Sequence, residues 1–98
     1  MDATVVRYQT KPERGDENQR LIEAVFAELH ERNPKGFTYN VFRLDDGVSF
    51  LHVVIEQDIS EPDSLQDVPA FQTFVAHIDD RCDVPPRATR ASMVGGYQ

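Results

Sequence analysis

The sequence predicts an α+β domain with element order β-α-β-β-α-β, its antiparallel sheet carrying two helices on one face. Three observations lead there. Short β-branched and aromatic runs (TVVRYQ, GFTYNVFRL, VSFLHVVIEQ) alternate with segments whose apolar residues recur at the helical period. The two middle runs are separated only by Asp45-Asp46-Gly47, a hairpin signal. The chain has 98 residues, room for a single domain spanning 1–98 that buries only about 60–65% of the surface its unfolded form exposes.

Thr4 to Gln9 forms the first strand, rich in β-branched residues and ended before Pro12, which cannot donate to a ladder. From Asp16 the period changes: Ile22, Val25, Phe26 and Leu29 fall at i, i+3, i+4 and i+7, with Glu17, Arg20, Glu23 and Glu31 facing away. Asp16 is placed to cap this helix and Gln19 to complete a capping box. Asn33-Pro34-Lys35-Gly36 ends it.

Gly36–Leu44 and Val48–Gln57 are expected to pair as a hairpin. A three-residue loop, Asp45 to Gly47, sets Phe42 opposite Phe50 and Asn40 opposite His52; a two-residue Asp46-Gly47 loop shifts that register by one. A polar stretch follows, with Pro62 and Pro69 each suited to open a helical turn. Phe71, Phe74, Val75, Ile78 and Cys82 then form one apolar stripe, expected to close at Val84-Pro85-Pro86. Arg87 to Tyr97 alternates as a last strand that loosens at Gly95-Gly96.

This order matches the ferredoxin-like arrangement, in which the first and third strands are central. Both faces of the hairpin carry large apolar groups, whereas the helices cover one. A homodimer through the uncovered sheet face is the expected remedy, since a two-fold interface buries that face against its copy.

Composition narrows the partners. A formal charge of −7 repels phosphate backbones and anionic headgroups, so neither nucleic acid nor membrane is expected. The lone Cys82 forms no internal disulfide and reads as a small buried hydrophobe in a reducing, cytoplasmic setting. No run approaches the ~20 apolar residues of a membrane span. His30, His52 and His77 lie on three elements with no ligand spacing, so no metal and no cofactor is expected.

The length, element order, two-faced sheet and proline-led aromatic helix (69-PAFQTF-74) resemble the antibiotic biosynthesis monooxygenase-like family of the dimeric α+β barrel superfamily. The resemblance implies a ferredoxin-like subunit paired into a dimeric barrel, with a pocket between helices and sheet. It also implies cofactor-free oxidation of aromatic polyketides or quinols, or haem degradation. Of the family's Glu-x-Trp the sequence keeps Glu56 but has Asp58 in the aromatic position, and of its Pro-His-Phe it keeps Pro69 and Phe71 with Ala70 replacing the histidine. The first strand offers Arg7 and Tyr8 where haem-degrading members have asparagine, which argues against that activity.

His52, in the middle of an apolar strand, is the candidate base: burial keeps an imidazole neutral and able to accept a proton. Asn40, Tyr8 and Arg7 are candidate hydrogen-bond donors to a developing oxyanion, and Phe26, Phe50, Phe71 and Phe74 a candidate aromatic ligand wall. The plainer roles are a satisfied core histidine and core aromatics. Two functions are therefore expected: a dimeric pocket protein for a small apolar or aromatic molecule, acting as a quinol-type monooxygenase, or a non-catalytic structural dimer.

Overall fold

The computed structural model describes residues 2–97. Its elements are β1 (Asp2–Thr10), α1 (Gly15–Arg32), β2 (Phe37–Arg43), β3 (Ser49–Glu56), α2 (Pro69–Ala76), α3 (Ile78–Arg81) and β4 (Cys82–Ser92), with single 3-10 turns at Pro12–Arg14 and Leu65–Asp67. The four strands form one antiparallel sheet in the order β2-β3-β1-β4. The fold is the ferredoxin-like α+β arrangement that the element order predicts.

Helix α1 follows the predicted stripe. Ile22 and Val25 are buried, and Leu21, Phe26 and Leu29 pack against the same core of Tyr8, Tyr39, Phe50, Leu65, Val68 and Phe74. Asn33 ends the helix in the left-handed region at φ 50°, returning its N–H to the Leu29 carbonyl at 2.7 Å. The start differs from expectation. Asp16 lies inside the first turn, and neither it nor Gln19 forms a capping box; both accept from Arg43 of β2, at 3.0 and 2.7 Å. A guanidinium offers several donors at once and draws both groups toward the sheet.

The hairpin register also differs from the three-residue-loop expectation. Leu44 donates to the Ser49 carbonyl, so the loop is the four residues 45–48. Asp46 holds it by accepting from the Val48 and Ser49 amides and the Ser49 hydroxyl, and those donors lower its carboxyl pKa. Consequently Val41, not Asn40, stands opposite His52, and Phe42 opposes Leu51 rather than Phe50. This is the register a two-residue loop would have produced, and it moves Tyr39 to the helix-covered face.

The second helical segment is shorter than its stripe. It breaks at His77 (φ −130°, ψ 26°), leaving one turn of α3 before Cys82 opens β4. Cys82 is thus a half-buried strand residue rather than part of a helix. Pro62 opens no turn; Ser64 caps the 3-10 turn at Leu65 by accepting from the Gln66 amide. Pro85 and Pro86 lie within β4, where both face the single residue Tyr8 between the pairs Arg7↔Arg87 and Gln9↔Val84. An edge-strand bulge is where prolines are tolerated, because the ladder is already interrupted there. The final strand ends at Ser92 instead of reaching Tyr97.

The helices cover the sheet face bearing Tyr8, Tyr39, Phe50 and His52. The other face presents Val5, Arg7, Asn40, Phe42, Leu51, Val53 and Ile55, with Phe42 55% exposed.

Candidate functional site

Three neighbouring strands assemble the site. His52 of β3 stands opposite Val6 of β1 on one side and Val41 of β2 on the other. Tyr8 and Tyr39 lie two residues along from those partners, on the same face and within the diagonal reach of long side chains. Each tyrosine takes one ring nitrogen: the Tyr8 hydroxyl is 2.7 Å from Nε2 and the Tyr39 hydroxyl 2.7 Å from Nδ1. From α1, the buried Asn18 donates its Nδ2 to the Tyr8 oxygen at 2.8 Å. Arg81 of α3 donates from Nε to Asn18 Oδ1 at 3.1 Å and from its terminal nitrogen to the Phe74 carbonyl at 2.6 Å. Five side chains from five elements thus form one chain, Arg81-Asn18-Tyr8-His52-Tyr39.

Burial governs its electrostatics. His52 is 4% exposed, and desolvation lowers its pKa from 6.5 to about 4, so the ring is neutral at physiological pH. Burial likewise raises both tyrosines above their ordinary range, against a smaller opposing effect of the Asn18 bond at Tyr8. Arg81 is 2% exposed and has no carboxylate within ion-pair distance among the described residues. Its guanidinium lies over the Phe74 ring at 5.2 Å, which offsets part of the desolvation. Phe74 also stacks on His52, with ring centroids 5.4 Å apart.

Beside the chain lies an apolar cavity of about 150 Å³, bounded by Tyr8, Tyr39 and His52 on the sheet, by Leu65, Phe71, Phe74 and Ile78 above it, and by Pro86 of the β4 bulge. A larger hollow of about 320 Å³ at the far end of α1, beside Arg32, Asp63 and Asp67, is an open surface groove remote from these groups. The smaller cavity is therefore the candidate site, because buried polar groups converge on it.

The structure brings together only part of the predicted set. Tyr8 and His52 meet, and Phe71 and Phe74 wall the cavity. Phe26 stacks on Tyr39 at 5.1 Å, behind the wall. Phe50 stacks on Tyr8 at 5.5 Å and sits under Arg43, outside the cavity. Arg7 and Asn40 do not reach His52: they pair with Leu51 and Val53, one residue out of phase, and point to the uncovered face. Neither Asn18 nor Arg81 belongs to the predicted set, and the three-residue-loop register turns Tyr39 away from His52. Asn18 does carry a signal, being a polar residue in step with Ile22, Val25 and Leu29 on the buried stripe. Arg81 carries the same mark, falling seven residues after Phe74 and three after Ile78 on the second stripe. No group of three or more His, Cys, Asp or Glu side chains is placed to hold a metal among the described residues.

No protein-family model matches the sequence, and comparison with curated proteins finds no match. Solved structures do match. Rv0793 from Mycobacterium tuberculosis superposes with a TM-score of 0.75 at 15% identity, over 99% of this chain and 98% of that one. A protein described as an antibiotic biosynthesis monooxygenase gives 0.75 at 18% identity, over 97% and 100%. The fold is that of the antibiotic biosynthesis monooxygenase-like proteins. SnoaB, a cofactor-independent oxygenase from Streptomyces nogalater, solved in a substituted form, gives 0.69 at 12% identity, over 97% and 94%. At these identities the likeness to antibiotic biosynthesis monooxygenases is one of fold. In this chain Ala70, where that family often has a histidine, opens α2 next to Phe71, while the histidine at the cavity comes from β3. No helix among the described residues is long and apolar enough to cross a membrane.

Proposed function

We propose that the protein binds a small aromatic molecule in the cavity beside His52 and oxidises it with O2 without a cofactor. The observation that carries this reading is an apolar cavity floored by a buried, fully connected chain of polar groups: apolar walls select an aromatic body, and convergent polar groups act on one edge of it. A cavity of about 150 Å³ is the size that accommodates benzene in an apolar protein interior, so the ligand is a single ring. With a quinol the reaction balances as quinol plus O2 giving hydroxyquinone plus water, the substrate supplying all four electrons that reduce O2. Loss of a hydroxyl proton makes the ring electron-rich enough to reduce O2, and a hydrogen-bond donor steadies the oxyanion meanwhile. Because tyrosines occupy both nitrogens of His52, it acts on the ligand by positioning Tyr39 rather than by contact. Like fold-mates named as oxygenases support the reaction class.

The uncovered sheet face completes the proposal. Val5, Leu51, Val53 and Ile55 form an apolar patch suited to a second copy, giving a homodimer with a cavity in each subunit. A specific observation favours a second reading, a non-catalytic structural dimer: His52 has both nitrogens satisfied within the protein and Phe74 stacked on its ring.

Oxygen uptake with single-ring quinols tests the choice, using the parent and His52→Phe. The oxygenase reading expects one O2 consumed per quinol without release of peroxide. Equal rates in both proteins would remove His52 from the mechanism, and no uptake by the parent would leave the structural reading.

A further inference from the structure

The hydrogen atoms of the buried chain can be counted from its chemistry. Neutral imidazole carries one N–H, and each tyrosine one O–H, three hydrogens in all. The contacts Tyr8-His52 and His52-Tyr39 each take one. The contact Asn18-Tyr8 takes none of them, because its hydrogen comes from the amide. One hydrogen is therefore left over, whichever tautomer His52 adopts.

Arg81 decides where it lies. A guanidinium only donates, so the Asn18 oxygen must face Arg81 and the Asn18 amide nitrogen must face Tyr8. The Tyr8 oxygen thus already accepts one bond, and it completes a head-to-tail chain by donating to His52 Nε2, an order in which each bond polarises the next. His52 then carries its proton on Nδ1 and donates to the Tyr39 oxygen. The unassigned hydrogen is that of the Tyr39 hydroxyl, on a residue that lines the cavity. The opposite order would strand the hydrogen on Tyr8, which is 1% exposed against 8% for Tyr39.

Resting on the proposed pocket, we propose that Arg81 fixes the direction of this chain so that Tyr39 donates into the cavity, selecting single-ring aromatics that carry an acceptor oxygen, such as phenols and quinones. Tyr39 is the group that touches the ligand; Arg81, Asn18, Tyr8 and His52 are positioning residues. The site is then a hydrogen-bond donor in an apolar box, suited to hold a phenolic or quinone oxygen and to steady negative charge developing on it.

The test compares 4-fluorophenol with 4-fluorotoluene, which match in size and differ in the oxygen, by fluorine NMR titration of the full chain. The parent is expected to prefer the phenol by about tenfold, the effect of one buried hydrogen bond. Tyr39→Phe is expected to lose the preference while still binding 4-fluorotoluene. Asn18→Asp gives the sharper result. It replaces a donor to Tyr8 with an acceptor, so Tyr8 turns its O–H to residue 18, the chain reverses, and Tyr39 spends its hydrogen on Nδ1. Arg81 keeps a partner in that variant, and the preference should vanish although Tyr39 is intact. Equal binding of the two probes by the parent, or a preference that survives in Asn18→Asp, overturns the assignment and leaves the pocket standing. If the parent binds neither probe, the pocket reading itself fails and the assignment with it.

Discussion

Acidification from about pH 7 to about pH 5 protonates His52 in the unfolded chain, where its pKa is 6.5, but not in the folded protein, where burial holds it at about 4. The unfolded state therefore binds more protons, and stability falls as pH falls. The contribution is nearly complete above pH 6.5 and is lost as pH drops toward 4. Linkage between those two values gives a loss of about 2 kcal/mol by pH 5 and about 3 kcal/mol below pH 4. For a domain of ordinary stability, about 5–15 kcal/mol, that is a substantial share. Urea denaturation at fixed protein concentration measures it: with an m-value of about 1.5 kcal/mol/M, the midpoint should fall by about 1.3 M between the two pH values. The carboxylates of Glu17 and Asp46, whose pKa values are lowered in the fold, also favour the unfolded state at low pH. They are common to the parent and His52→Gln, so the difference between the two proteins isolates the histidine. If both lose the same stability between pH 7 and pH 5, then His52 is not held neutral by burial, and the hydrogen count at the cavity no longer holds.

Other perturbations probe separate parts of the structure. Phe74→Ala, at a side chain 2% exposed that covers both His52 and Arg81, should cost about 3–5 kcal/mol in urea denaturation. Gly36→Ala should cost more than about 1 kcal/mol, since φ is +102° and the new Cβ would lie 2.5 Å from Pro62 Cβ and 2.8 Å from its Cα; a neutral result would mean the loop at Pro62 gives way freely. Val53→Glu, in the middle of the uncovered face, should convert the proposed dimer into a monomer in sedimentation while leaving the circular dichroism of the subunit unchanged.

The order of elements was legible because it rests on period, and period survives errors of one residue. The α1 stripe through Ile22 and Val25 and the alternation in 49-SFLHVVIE-56 each state their element without reference to the rest of the chain. The site was less legible because it depends on phase. The choice between a three-residue loop and one with a fourth residue, Val48, decides whether Tyr39 or Asn40 shares the face of His52, and that choice was made by Asp46 gathering two backbone amides and a hydroxyl. Such gathering is a local competition among hydrogen bonds that composition does not rank. The break at His77 has the same character: the apolar stripe runs on through Ile78 and Cys82, so the period of the sequence gives no sign of it.

The bulge at Pro85 and Pro86 matters for how copies of this chain can associate. An outer strand normally advertises amide donors to any passing strand, and growth by edge addition is open-ended. β4 lacks two consecutive donors in its middle, so an incoming strand would find a gap in the ladder and a bend where it needs a straight template. Growth along that edge is thereby discouraged, which leaves the apolar sheet face for the proposed dimer. Assembly by faces stops at two, whereas assembly by edges makes fibres. A pair of prolines that interrupts a strand thus helps keep a small, apolar-faced subunit finite in solution.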